Sequence, residues 1–525
     1  MCGIAFYLSA SKDISSDLSH RGPDCTNSFS DILNNFTLDF YRLKINDLSD
    51  DGNQPMQIGD CVLICNGEIF NHTKIRDQFG FQLNTGSDCE VILHLYMYLR
   101  KRMRKASEEF IIQMLCNHLD GEFAFCLCDM THNLVYCARD PFGVRPLFIN
   151  HATGSVASEL KAFDPSVQSG VVQFPPGYFS VMYKYDPRSV VVAKYKPDLT
   201  RLSPNTTRSR IVKDVKNLLC QAVRKRVMSD RPICALLSGG LDSSLVAALA
   251  AKYLPYPLMT FSIGFEGSPD LHYAQKVATH IGSNHTEILV TPTDFLNAIE
   301  EVVRCIESYD TTTVRASVGN YLVAKYIKEH TDCVVVFNGD YADEVCGGYK
   351  YLQNCACKNE FHNDCMRLVD EIYYFDSLRS DRTISAHGLE ARVPFADKRF
   401  VMYYMSISPS YRTSHTQIEK LLVREAFDGD DLLPKEVLWR RKEAFSDGVS
   451  KSTESWGDIV RRHVDTIVSD EEFGSMNHKK FKLKETYYYH KLFSKYYDGE
   501  TKVIPHLWMP KFCDESVVDP SARKL

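Results

Sequence analysis

The sequence predicts an α/β protein of two domains, a mixed sheet carrying helices followed by a parallel sheet that continues into a mostly helical region. Three observations predict it. The 525 residues exceed what one hydrophobic core ordinarily serves and suit two domains. As far as about Lys194, short apolar runs alternate with turn residues, as strands do. From Pro232 the pattern becomes apolar strand, glycine turn, helix, which argues a parallel sheet with ligands at the carboxyl ends of its strands.

In the first part, FTLDFYRLKI, CVLICNGEIF, EFAFCLCDM, LVYCARD and YFSVMYKY read as strands. CLCDM and LVYCARD flank the polar turn Thr131–Asn133 and should pair as a hairpin, while CEVILHLYMYLRKRM has helical spacing. YKPDLTRLSPNTTR, residues 195–208, is polar and aperiodic and reads as a linker between domains 1–194 and 209–515. Beyond it PICALLSGG leads into the helix LDSSLVAALAAKYL, which should begin near Asp242; LMTFSIGF and CVVVFNGD follow as strands. From about Asp370 the chain reads as mostly helical, and residues 516–525 as a flexible polar tail.

A formal charge of −6 leaves no electrostatic footprint for nucleic acid or for an anionic membrane. The opening MCGIAFYLSA lacks the basic and apolar regions of a secretory leader, and no apolar run reaches membrane-spanning length. The 18 cysteines are scattered over a large chain, so they are expected to be reduced and the protein cytoplasmic. Asn205 sits in an Asn-Thr-Thr pattern that has no consequence without a secretory signal.

Cys2 follows the initiator methionine. Methionine removal leaves a thiol and an α-amine on one residue, a nucleophile that carries its own base, because the two groups titrate near 8.5 and 8. Alone this is weak, since cysteine at position 2 is common. Together, MCGI, SHRGPD (19–24), RLKI around Arg42, NGEIFNH (66–72) and TGSDCEVI (85–92) resemble the class II glutamine amidotransferases, whose fold is the N-terminal-nucleophile αββα sandwich. The resemblance implies that Arg42 takes the α-carboxylate of glutamine and Asp88 its ammonium, with Asn66 and the Gly67 N–H forming the oxyanion hole. Those roles suit a guanidinium fork and fixed donors. Glu68 either binds the substrate amide or orders its loop; Arg21 and Asp24 either act in catalysis or pair to fix theirs. His20 and His72 read as loop histidines.

SGGLDSS (238–244) lies between an apolar strand and a helix. Its glycines turn N–H groups toward an anion at the positive helix end, and Ser238, Ser243 and Ser244 add hydroxyls to the cradle formed with Gly239 and Gly240. There is no GxxxxGK[ST], so this is not a Walker loop. It resembles the pyrophosphate loop of ATP pyrophosphatases. FSIGFEGSPDL, IESYDTTTVRAS, GDYADEVCGGY, HGLEARVPFADKRF, IEKLLVREAF and RRKEAFSDGVS extend the resemblance to the asparagine synthetase family, over roughly residues 1–450. By that resemblance Leu237, Ile263, Asn338 and Gly339 contact ATP, Thr312 and Arg315 serve the aspartate site together with Asp343, and Lys442 neutralises departing pyrophosphate. Asp242 and Asp343 are the implied Mg²⁺ ligands. Where the family reads SGEGSDE this chain reads NGDYADE from Asn338 to Glu344, which makes Asp340 the base for incoming ammonia, one methylene shorter than glutamate. Arg392 and Asp397 read as packing and salt-bridge residues.

The activity implied is glutamine-dependent asparagine synthesis, with glutamine, aspartate and ATP as substrates and a closed passage for ammonia. A homodimer is left open. The alternatives are a same-plan amidotransferase acting on another carboxylate, or a non-catalytic relative. Cys355, Cys357, His362 and Cys365 have zinc-compatible types but no established zinc spacing, so the cysteines read as reduced and partly buried or at the surface, with metal binding left open.

Overall fold

The computed structural model describes all residues except 10–12, 16, 201, 203–205, 414–417, 443–447, 451–453, 477–480, 500, 515 and 521–525. Asn205 and the last five residues of the expected tail therefore lie outside the described residues.

The amino-terminal part is built on two six-stranded sheets. One runs in the order Val171–Gln173, Phe148–Asn150, Val156–Ala157, Gly3–Leu8, Phe36–Arg42, Cys25–Asp31. The other runs Val191–Lys194, Tyr178–Tyr183, Leu134–Arg139, Gly121–Asp129, Cys61–Ile69, Met56–Ile58. The expected hairpin forms, with Ala124 opposite Arg139 and Asp129 opposite Leu134. Every pairing in these sheets is antiparallel, which corrects the mixed sheet: period-two runs report strands but not their direction.

Inward residues of both sheets, including Ile4, Phe6, Leu38, Val62, Ile64 and Cys126, share one buried cluster and hold the sheets face to face. The outer face of the second sheet buries Phe123, Phe125 and Leu127 against the helices Val91–Arg102 and Glu108–His118. Ala5, Phe148, Ala157 and Val171, from the first sheet, instead join a cluster with Val302, Ile306, Ile384 and Leu389 of the carboxyl-terminal part. Arg382 lies over the Phe148 ring at 5.5 Å across that seam.

The third sheet has five parallel strands in the order Asn284–Leu289, Met259–Gly264, Ile233–Leu236, Val335–Phe337, Glu390–Arg392. Its central strand is buried and feeds the helix Leu241–Tyr253, whose Leu245 to Ala250 are all buried. Phe142 and Val144 of the amino-terminal part are buried within the same cluster as this helix, so the two parts share core as well as surface. Tyr195 bonds the Arg139 carbonyl and Lys196 pairs with Asp370, which ties down the start of the segment read as linker. Among the described residues no helix is long and apolar enough to cross a membrane.

Candidate active sites

The Gly3–Leu8 strand pairs with Phe36–Arg42, with Gly3 opposite Tyr41, so Cys2 comes to lie beside the residues that follow Arg42. Its sulfur meets the Leu43 N–H at 3.4 Å. Arg21 donates from Nε to the Cys2 carbonyl at 2.9 Å and, through Nη1, to Glu159 at 2.5 Å and Asp381 at 2.8 Å. The Arg21–Asp24 pair is thereby corrected: Asp24 accepts the Lys44 N–H instead. His20 bonds Glu159 from its loop, whereas His72, read as a loop histidine, opens the helix His72–Phe79 and bonds the Ile69 carbonyl.

Arg42 is buried, and its guanidinium holds the following loop through the Ser49 carbonyl at 2.6 Å and Asn53 at 2.7 Å. Asn66 and Gly67 lie opposite Ala124 and Phe123 in the second sheet. A side chain at Gly67 would collide with the Glu122 carbonyl at 2.3 Å, so only glycine lets the strands approach there. The Asn66 amide nitrogen is buried and has no partner among the described residues, a donor available to an oxyanion. Asp88 accepts the Ile69 N–H at 2.5 Å, and Asn46, which the sequence reading missed, bridges Asp88 to Glu68. Burial and then the charge of Asp88 push Glu68 well above the usual carboxylate range; burial raises Asp88 as well. With Met1 present the Cys2 thiol is lifted to about 11, first by burial.

In the carboxyl-terminal part the strand ends converge on a cavity of about 260 Å³. Leu237, Ser238, Gly240, Asp242, Ser243, Ile263, Asn338 and Gly339 line it, as do Thr312, Arg315, Asp340, Asp343 and Lys442. Gly239 and Ser244 do not reach the wall. Gly239 holds φ +70° and Ser244 is fully buried, its hydroxyl without a partner among the described residues. The helix begins at Leu241, one residue before the position expected. The Ser238 and Ser243 hydroxyls bond each other at 2.9 Å, shaping the turn, and a side chain on Gly339 would strike the Ser243 nitrogen at 2.7 Å.

Arginines and lysines both bring positive charge to the cavity wall, among them Arg315, Arg379, Lys420 and Lys442. Lys420, also missed, bonds Asp242 and lies 2.5 Å from Asp343, and Lys442 bonds Asp343 from another side. Burial lowers Lys442 to about 8, partly offset by Asp242. Asp340 accepts from Arg379 at 2.5 Å, its other oxygen is unpartnered among the described residues, and burial raises its pKa. Arg315 is taken by Glu485 at 2.8 Å and Asp519 at 2.9 Å; to bind a substrate carboxylate it would have to release one of them. Asp519 is buried, although it falls in the segment read as tail.

Asp242 Oδ1 is buried without a hydrogen-bond partner, and Asp343 shares Lys420 with it. Two such carboxylates suit a Mg²⁺ that completes its shell with water and phosphate oxygens. Among the described residues no group of three or more His, Cys, Asp or Glu is arranged to hold a metal by itself. In the Cys355–Cys365 segment the Arg412 guanidinium occupies His362 Nδ1, and Cys357 is exposed. Arg392 and Asp397 are buried in ion pairs, Arg392 with Glu390 at 2.9 Å and Asp397 with Arg226 at 2.9 Å.

The family model described as a glutamine amidotransferase domain matches residues 1–191, and that described as asparagine synthase matches 214–367 and 356–513. Asparagine synthetase [glutamine-hydrolyzing] of Homo sapiens is 41% identical over an alignment of 569 positions that covers 100% of this chain and 98% of the relative. The Gallus gallus protein of the same name is 40% identical with the same coverage. Among solved structures, an allosteric regulatory enzyme of purine biosynthesis is 14% identical, with 55% of this chain and 90% of that one covered and a TM-score of 0.31. Full-length identity at this level, joined to both domain matches, shows that the chain belongs to the glutamine-hydrolysing asparagine synthetase family.

Proposed function

We propose that the chain makes asparagine from aspartate, using ATP for activation and glutamine as nitrogen donor. The observation that supports this reading is one set of groups in each part of the chain. Cys2, Arg42, Asn66 and the Glu68–Asp88 pair belong to the amino-terminal part, and the phosphate turn, Asp340 and two lysines line a cavity in the carboxyl-terminal part.

In the first half-reaction the Cys2 thiolate attacks the side-chain amide carbon of glutamine. Arg42 holds the α-carboxylate, Asp88 the ammonium, and Asn66 with the Gly67 N–H takes the oxyanion. The C–N bond breaks, ammonia leaves, and water hydrolyses the thioester to glutamate. In the second, the β-carboxylate of aspartate displaces pyrophosphate from the α-phosphorus of ATP, giving β-aspartyl-AMP. The 238–244 turn cradles phosphate, Thr312 and Arg315 orient aspartate, and Lys420 and Lys442 neutralise the leaving pyrophosphate. When bound, Mg²⁺ at Asp242 and Asp343 would screen phosphate charge. Asp340 accepts a proton as ammonia attacks the acyl carbon, and AMP leaves. The cysteines, none of them disulfide-bonded among the described residues, suit the reducing cytoplasm.

Cys2→Ala tests the division. It should abolish asparagine formation from glutamine and leave formation from ammonium salts at the wild-type rate. Loss of both activities in a folded variant would refute the two-site reading.

A further inference from the structure

Tyr341 occupies the turn between the Val335–Phe337 strand and the Ala342–Cys346 helix with φ +75°, a backbone conformation that favours glycine. A bulky residue persists there only when its surroundings over-determine it. Here they do. The side chain is 2% exposed, and its hydroxyl meets the Ser377 hydroxyl and, at 3.4 Å, the Phe142 carbonyl.

Those two partners belong to different parts of the chain. Phe142 sits in a loop that Asp140 stiffens by accepting the N–H groups of Phe142, Val144 and Arg145 at 2.9–3.1 Å. Arg139 braces it again through the Gly143 and Arg145 carbonyls. Ser377 lies on the Asp376–Ser385 helix, which also fixes the turn carrying Asp340. Its Arg379 donates to Asp340 at 2.5 Å, and its Ser380 accepts from Asn338 at 2.7 Å. One hydroxyl therefore joins a rigid amino-terminal loop, a helix of the other part, and the residue adjacent to Asp340.

We propose that Tyr341 is a positioning residue for the synthetic half-reaction, clamping the Asn338–Asp340 turn against the 140–145 loop so that Asp340 faces incoming ammonia while the two parts are docked. The inference rests on the assignment of Asp340 as base in the proposed function. Without the hydroxyl the turn is free to relax from its positive φ, and the Asp340 carboxylate swings with the peptide. Small displacements of a reacting group are costly in rate. Asn338 and Gly339, on the ATP side of the turn, keep anchors of their own in Ser380 at 2.7 Å and in close packing on Ser243, so adenylation is disturbed less than ammonia attack.

The test uses the full chain carrying Tyr341→Phe, which keeps the ring and removes the clamp. Single-turnover pyrophosphate release, ammonia-dependent kcat and KM, and asparagine formed per glutamate are measured together, with glutamine hydrolysis reporting the integrity of the fold. Pyrophosphate release should fall less than asparagine formation. The ammonia-dependent kcat should fall about fivefold, the worth of one net hydrogen bond, at constant KM, and glutamate should outrun asparagine. Tyr341→Gly should lose at least as much, although it relieves the backbone. A Tyr341→Phe chain with unchanged kcat and an unchanged asparagine-to-glutamate ratio would overturn the proposal. So would an equal fall in pyrophosphate release and asparagine formation, which is the mark of a distorted cavity. If the unmutated chain released no pyrophosphate in response to aspartate, the proposed function itself would fall, and this inference with it.

Discussion

Retention of the initiator methionine should silence one half of the chain and leave the other running. With Met1 in place Cys2 has no α-amine of its own, and burial, with the negative charges of Glu390 and Glu68, holds its thiol near 11 against the opposing pull of the terminal ammonium and the Leu43 backbone. At pH 7.5 a thiol of that pKa is thiolate in about one molecule in 3,000, against about one in ten for an ordinary thiol. The difference is roughly 300-fold in nucleophile, or about 3.4 kcal/mol of barrier. The effect can be measured on chain made while methionine aminopeptidase is inhibited, its terminus verified by intact mass. Glutamine hydrolysis should fall at least about 300-fold, ammonia-dependent asparagine formation should be unchanged, and alkylation of Cys2 by iodoacetamide should rise with a midpoint near pH 11. A Met1-bearing chain that hydrolyses glutamine at the processed rate would refute the reasoning, as would an alkylation midpoint below about 9.

Lys442, lowered to about 8, should lose its proton as pH rises through that value. Pyrophosphate release should therefore decline above pH 8, and Lys442→Arg, which stays charged, should flatten the profile even if it lowers the rate; a wild-type profile level to pH 9.5 would remove the lysine from this role. Asp340→Asn keeps the shape of the carboxylate and removes its basicity, so aspartate-dependent pyrophosphate release should persist while asparagine formation falls about a hundredfold or more; equal asparagine yields would exclude Asp340 as the base. His362 and His387 are each held near 4 by burial together with neighbouring cations, Arg412 and Lys325 respectively. The unfolded chain binds more protons between about pH 6.5 and 4, so stability should fall as pH drops through that window, by less than about 2 kcal/mol per histidine at pH 5, since both rings keep some contact with water. Urea unfolding at pH 7 and pH 5 checks this, and His387→Phe should reduce the slope.

Features written in consecutive residues were legible in the sequence. The strands of the amino-terminal part, the hairpin around Thr131–Asn133 and the turn after Ile233–Leu236 all stand where the periodicity and glycines put them. Sheet direction in the amino-terminal part was not legible, because a strand's alternation looks the same from either end, whereas the strand–turn–helix alternation of the second part did announce its parallel sheet. Partners distant in sequence were also hidden. Arg21 looked like the mate of Asp24, three positions away, yet its carboxylates are Glu159 and Asp381. Lys420 sat in IEKLLVREAF, a stretch noticed only for its family resemblance; the fold, with φ +57° at that residue, turns its amine onto Asp242 and Asp343. Asn46 had no signal beyond its nearness to Arg42, since the Glu68–Asp88 pair it bridges closes only when strand and loop meet.

The burial of Phe142 and Val144 in the other part's core bears on how such a chain can change over generations. A module joined by a mere tether can be exchanged whole, because each piece survives the cut. Here separation of the two parts would strip those side chains, and Phe148 across the seam, of their cover, leaving an apolar surface of the kind that aggregates. The intact chain should accordingly melt in a single transition. Substitutions on either side of the seam are then selected as pairs, so ancestry for the two halves should be shared along this boundary even where their chemistries diverge.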